Sequence, residues 1–278
     1  MKNIKRIILM TVATLSPVMA EDIQPVKEPV KGPVKIFLLS GQSNMTGRGT
    51  LGNLRTPPEV QEATLVRYIM EPGNKEKYAS LYSDPAKPAL DWVPRDDVFI
   101  TIGEWPHLKP GEEGYNNGRK HGGLKPYYGG FRNKGFGPEL GIGYVLGNFY
   151  EEPVLLVKSS FGANSLGKNF RPPSSGGDLG DKYPVIVKAV HDAIDHLPEI
   201  MPGYTEQTGY EIVGFLWNQG VHDMNEEFAA EYETNLVNLI NDLRKEFHAP
   251  EMKVVVAVTG NFGWDLADLL KWQKTEAK

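Results

Sequence analysis

The chain has 278 residues, with 30 Lys and Arg against 35 Asp and Glu, a net charge of −5, and 40% hydrophobic residues. That suffices for one good-sized core with loop-rich extensions rather than two clear domains, and the acidic balance argues against a nucleic-acid or anionic-membrane surface. There is no cysteine, which excludes a disulfide framework, a thiol nucleophile and the cysteine-borne anchor of a lipoprotein.

Residues 1–20 read as a secretory signal. Lys2, Lys5 and Arg6 make a basic start, Ile7 to Leu15 is an apolar run too short to span a bilayer, and Val18-Met19-Ala20 offers a cleavage site. A buried N-terminal helix is the plainer alternative, but nothing gives the run an amphipathic stripe. The expected location is therefore the periplasm or the medium. Residues 21–33, with Pro25 and Pro29, read as a flexible lead-in, and residues 34–278 as a single domain.

Val34 to Ser40 is short, apolar and closed by Gly41, the pattern of a buried strand. From Gly47 to Phe136 prolines break the pattern. Val98 to Ile102 reads as a short strand. Residues 107–135 form a long polar, glycine-rich loop with three tyrosines, read either as an aromatic wall over a site or as a surface loop. Regular alternation begins at Gly137. Pro138 suits a first helical turn, Leu140, Tyr144 and Leu146 mark a partly buried face up to Phe149, and Gly141, Gly143 and Gly147 suggest close packing on a sheet. A strand at 153–159, a helix from Pro184 to Leu197, a strand at 210–217, a helix from Glu226 to Phe247, a strand at 253–259 and a weaker helix from Trp264 follow. Strands apolar throughout, separated by helices, predict an α/β three-layer sandwich: a parallel sheet covered by helices on both faces.

The stretch Gly41-Gln42-Ser43-Asn44-Met45 follows the first strand directly. Open α/β sheets carry their chemistry just past the carboxyl ends of strands. There Ser43 can supply a nucleophilic oxygen, and its amide, in the first turn of a helix, an oxyanion donor. Gly, Ser and Asn are also ordinary turn residues. The stretch is not a Gly-x-Ser-x-Gly elbow, since Met45 stands at the second glycine. The six histidines are scattered without ligand spacing, and no glycine-rich phosphate loop is present, so neither metal nor cofactor is expected.

Four ordered blocks carry a resemblance. "LLSGQSNM", "GFGPELGIGYVLG" (135–147), "VLLVKSSFGANSL" (154–166) with "FRPPSSGG" (170–177), and "GFLWNQGVHDM" (214–224) are similar to the SGNH-type hydrolases of the sialate O-acetylesterase and acetylxylan esterase group, from about Lys35 to Gly263. The resemblance implies an SGNH, flavodoxin-like fold and a secreted serine esterase that removes O-acetyl groups from carbohydrate. It implies Ser43 as nucleophile, and the amides of Ser43 and Gly162 and the side chain of Gln219 as oxyanion donors, with Asn44, His222 and Asp223 supporting the site. From the residues alone Gly162 is as readily a turn glycine. His222 could donate to the oxyanion, line the pocket or be a satisfied polar residue, and Asp223 could orient the Ser43 loop or cap the helix that begins near Glu226.

One family feature is not found. The base of such enzymes sits in a C-terminal Asp-x-x-His block, and no histidine follows His248. The chain is therefore expected to stop where relatives continue. Inside it, His222 and the Glu104-x-x-His107 pair are weak substitutes. Two other readings stay open: a non-catalytic carbohydrate-binding remnant, and a glycoside hydrolase using carboxylates such as Glu139 and Asp223.

Overall fold

A computed structural model describes residues 31–83, 91–103, 120–129 and 135–258. Its strands are β1 (Val34–Gly41), β2 (Val98–Ile102), β3 (Lys120–Gly123), β4 (Val154–Ser160), β5 (Tyr210–Asn218) and β6 (Lys253–Val256). Its helices are α1 (Ser43–Thr46), α2 (Leu65–Met70), α3 (Pro138–Phe149), α4 (Tyr183–Asp195), α5 (Leu197–Ile200) and α6 (Glu226–Glu246). Among the described residues the strands form one sheet in the order β3-β2-β4-β1-β5-β6. All neighbours are parallel except β2 and β3.

The sheet is buried on both faces because successive side chains of a strand point to opposite sides. In β1, Ile36 and Leu38 join one core with Leu155 and Val157 of β4 and the apolar stripes of α4, α5 and α6. Phe37 and Leu39 join the other with Val154 and Leu156, Val98 and Ile100, Met45 of α1 and the inner face of α3. Of the three α3 glycines expected to pack closely, Gly143 and Gly147 do, while Gly141 is exposed with open space where a Cβ would stand. A Cβ on Gly143 would lie 2.1 Å from Leu124 Cδ2, and one on Gly147 would lie 2.4 Å from Val98 Cγ2. At α6 the expected stripe holds: Leu239 and Leu243 are fully buried, with Tyr232, Leu236 and Ile240 packed beside them.

Three features depart from the sequence reading. The supposed irregular stretch after Gly47 contains α2, capped by Thr64, whose hydroxyl accepts from Arg67 N. It also builds a third small core, in which Leu51, Leu65, Ile69 and Leu81 pack with Leu140 of α3. The glycine-rich loop contains β3, antiparallel to β2, and Tyr128, a buried core residue rather than an aromatic surface. Desolvation there pushes the Tyr128 hydroxyl up to about 12. Finally, among the described residues β6 stands at the end of the sheet, with Val255 59% exposed. The expected signal segment, His107 with Glu104, Tyr115 and the helix from Trp264 lie outside the described residues.

Candidate active site

The site follows from strand register. Gly41 of β1 pairs with Ser160 of β4 on one side and Asn218 of β5 on the other. Three neighbouring parallel strands thus end at one level, and the segments carrying Ser43, Gly162 and Gln219 all leave the same carboxyl edge. One irregularity sets this level: the β1–β5 register shifts between Ile36 and Phe37, where Gly214 leaves room for the Phe37 ring.

Gly41 makes the turn possible. Its φ is +141°, and a Cβ there would lie 2.2 Å from the carbonyl oxygen of Asn218. The next residue, Gln42, is buried and ties the turn to β5. Its amide donates to Asn218 O at 3.0 Å, and its side-chain Oε1 accepts from Gly220 N at 3.1 Å. Gln42 also holds α1, since its carbonyl accepts from the amides of Met45 and Thr46. Sequence reasoning missed this brace. The available signal was an amide side chain between a buried strand and the Ser43 turn.

Ser43 opens α1 and is half-buried, while Asn44 is exposed. Among the described residues neither side chain makes a hydrogen bond, and the amides of Ser43 and Gly162 donate to nothing. Gly162 is itself exposed, with open space where a Cβ would stand. The backbone around it is fixed: Phe161 N donates to Gly41 O at 2.9 Å, and Asn164 Nδ2 donates to Gly162 O at 2.6 Å. Amides left free at the carboxyl edge of a parallel sheet are groups able to receive a developing oxyanion.

Gln219 and Asp223 are both 2% exposed and bonded to each other, Gln219 Nε2 donating to Asp223 Oδ2 at 2.5 Å. The second Gln219 N–H donates to Asn164 O at 3.1 Å, leaving Oε1 buried without a partner among the described residues. Tyr232 of α6 holds the same residue from behind, its hydroxyl donating to Gln219 O at 2.9 Å. The remaining Asp223 contacts go to the amides of Leu166 (2.8 Å) and Gly167 (2.7 Å). Asp223 therefore orients the Gly162 loop, not the Ser43 loop, and the cap of α6 is Asn225, which accepts from Phe228 N. Burial pushes the Asp223 carboxyl up, against the pull of the Gly167 amide, the Gln219 side chain and the Leu166 amide. His222, next to it on a short turn, is exposed and makes no hydrogen bond or ion pair among the described residues.

Beneath the Ser43 turn lies a buried ion pair. Lys158 of β4 is 2% exposed and Glu139 of α3 is 1% exposed. Lys158 Nζ donates to Glu139 Oε2 at 2.6 Å, Thr46 O at 2.8 Å and Tyr128 O at 3.1 Å. With Glu139 taken up this way and Asp223 by three N–H donors, neither carboxylate is disposed for glycosidic acid–base work. Among the described residues no group of side chains could hold a metal ion, and no helix is long and apolar enough to cross a membrane.

A mostly parallel six-stranded sheet, covered on both faces and with its candidate residues at one carboxyl edge, defines a three-layer α/β protein. The chain belongs to the carbohydrate esterase, sialic acid-specific acetylesterase family, whose family model matches residues 108–277. That match takes in Gly162, Gln219 and Asp223 and begins after Ser43. Similar solved structures include a protein from Arabidopsis thaliana, 18% identical with a TM-score of 0.47, covering 83% of this chain and 76% of that one. A carbohydrate acetylesterase from Xanthomonas citri is 15% identical (TM-score 0.44; 87% and 46%), and NanS is 14% identical (TM-score 0.48; 84% and 69%). This chain thus corresponds to less than half of the Xanthomonas citri protein. Comparison with curated proteins gives no match.

Proposed function

We propose that the protein is a serine carbohydrate esterase that removes O-acetyl groups, from sialic acid or plant polysaccharide, through an acyl-enzyme on Ser43. One observation carries this reading: Ser43 stands just past the carboxyl edge of the central strand, with its own amide and that of Gly162 both uncommitted among the described residues. In the reaction Ser43 Oγ attacks the acetyl carbonyl and gives up its proton, the carbonyl oxygen becomes the oxyanion on those two amides, and the bond from the acyl carbon to the sugar oxygen breaks, the sugar leaving as an alcohol with that proton. Water then hydrolyses the acetyl-serine. Gln219 is the third donor on this reading, and reaches the oxyanion by giving up Asn164 O.

The test is release of acetate from an activated acetyl ester and from acetylated sialic acid and acetylated xylan, comparing wild type with Ser43→Ala. Loss of hydrolysis in Ser43→Ala, with folding intact, supports the reading. Equal rates in the two proteins sink it. The carbohydrate-binding remnant is the second reading, favoured by Ser43 Oγ making no hydrogen bond among the described residues. Saturable binding of an acetylated oligosaccharide without any Ser43-dependent turnover would select it. Export belongs to the same proposal: N-terminal sequencing of protein from the periplasm or medium is expected to begin near Glu21, and an intact Met1 would contradict it.

A further inference from the structure

We infer that the buried Lys158–Glu139 pair is the positioning device of the Ser43 turn: the Lys158 ammonium holds the end of α1 against β4 and so sets the spacing between the Ser43 and Gly162 amides. The inference rests on the Ser43 reading for its chemical arm and on geometry alone for its structural arm.

The argument begins with α1. Four residues are too few for a helix to persist by itself, and its last carbonyls have no partner within the helix. One of them, Thr46 O, accepts from Lys158 Nζ at 2.8 Å. A charged donor makes a stronger bond than a neutral one, and a cation suits the negative end of a helix. The Thr46 hydroxyl lies 3.2 Å from Ser160 Oγ, two residues before Gly162. Lys158 and Ser160 share one face of β4, so this short piece of strand grips the Ser43 helix at one end and carries the Gly162 amide at the other.

Glu139 extends the brace. Its Oε2 receives Lys158 Nζ and its Oε1 receives Gly137 N at 2.6 Å. Gly137 in turn abuts the exit of α1, where a Cβ on Gly47 would lie 2.3 Å from Gly137 Cα. The third ammonium proton goes to Tyr128 O. One side chain therefore binds α1, α3 and the segment after β3 to β4. Apolar residues of equal size could fill this space at similar free-energy cost. What they could not supply is three directed bonds, one of them to the helix that bears Ser43.

The experiment replaces the pair with apolar residues of similar length, Lys158→Met with Glu139→Leu, in the full chain. Two readouts are taken on the folded variant. Hydrogen exchange reports the α1 amides of Met45, Thr46 and Gly47 against those of β1 and β4. A fluorophosphonate reports the saturating rate and the half-saturating concentration for modifying Ser43, with Ser43→Ala as control. The expected result is α1 exchange at least tenfold faster with β1 and β4 still protected, and a labelling rate at least tenfold lower at unchanged half-saturation. Unchanged α1 exchange overturns the inference, and so does faster exchange with an unchanged labelling rate. Faster exchange in a protein whose wild type is not labelled at Ser43 supports the tether and defeats the nucleophile reading instead. Should the double variant not fold, Thr46→Val, which removes the hydroxyl's contacts with Ser160 Oγ and Gln42 O, is measured the same way. It is expected to raise α1 exchange about threefold, and no change there overturns the inference.

Discussion

Gln219 Nε2 donates to Asp223 Oδ2 at 2.5 Å, and this bond joins the end of β5 to the carboxylate that organises the loop after β4. The orientation of the Gln219 amide follows from its neighbours. Asn164 O and Asp223 Oδ2 are both acceptors, so turning the amide over would set Oε1 against two oxygens. In this state Gln219 is a brace, and the third-donor role proposed for it requires the Asn164 contact to open.

Replacing Gln219 with glutamate tests the brace. Two carboxyls at this separation cannot both ionise, so the pair retains one proton to a pH well above the ordinary carboxylate range. A folded-state pKa above the unfolded value gives stability that is present at low pH and lost as pH rises through the folded value. Asp223 alone already has that sign, because burial raises its carboxyl. Gln219→Glu is therefore expected to lose about 3 kcal/mol relative to wild type at pH 8 and clearly less at pH 5, measured by urea unfolding. A deficit independent of pH would mean that the two side chains do not meet.

The Lys158–Glu139 pair predicts the opposite slope. Burial pushes the Lys158 ammonium down, while the charge and hydrogen bond of Glu139 hold it up. Glu139→Gln removes that support and leaves a buried cation, a loss of about 3–5 kcal/mol at neutral pH. With the folded-state lysine pKa further depressed, the unfolded chain binds the extra proton. Stability of the variant should then rise with pH from the folded pKa towards about 10.4. Unfolding of Glu139→Gln and wild type at pH 7 and pH 9.5 checks this: the gap narrows at the higher pH. A gap that widens would contradict a charged Lys158 at neutral pH.

These two relationships mark the limit of what the sequence discloses. The sheet was legible because β1, β4 and β5 are apolar runs, and α6 was legible because its stripe repeats over 21 residues. The edge location of Ser43, Gly162 and Gln219 followed from parallel connectivity alone. What stayed hidden depends on contacts distant in sequence. β3 reads Lys-His-Gly-Gly, without alternation, and exists as a strand because β2 lies beside it. α2 is six residues long, too short to declare a period. The direction of Asp223 towards Leu166 and Gly167, and the partners of Lys158, are set by tertiary approach and leave no pattern in their own neighbourhoods.

Two glycines of the site should respond differently to alanine. At Gly41 the added Cβ meets Asn218 O at 2.2 Å, in a backbone conformation that L residues seldom adopt. Strain and overpacking together should cost about 3 kcal/mol or more. At Gly162 there is no atom within 4 Å of the added Cβ. Gly41→Ala is thus expected to lower Tm by roughly 6 °C or more, with Gly162→Ala within about 2 °C of wild type. Calorimetry on both proteins decides it, and a tolerant Gly41→Ala would undo the account of the turn.

The last prediction concerns how Ser43 is activated. A serine hydroxyl is a weak nucleophile at neutral pH unless a base takes its proton. Among the described residues no imidazole hydrogen-bonds Ser43 Oγ, and His222 stands exposed beside Asp223. Oxyanion donors and binding alone leave roughly 10³–10⁴-fold catalysis over water. On the Ser43 reading, with no base beside it among the described residues, the protein is expected to hydrolyse an activated acetyl ester slowly, within that range, in a Ser43-dependent manner. Between pH 6 and 8 its rate should show no inflection of an imidazole, whose ordinary pKa is about 6.5. His222→Ala and His107→Ala should leave both rate and profile as they are. A fast reaction with an inflection near pH 6.5 that disappears in one of those variants would identify that histidine as the base and overturn the expectation of a slow enzyme.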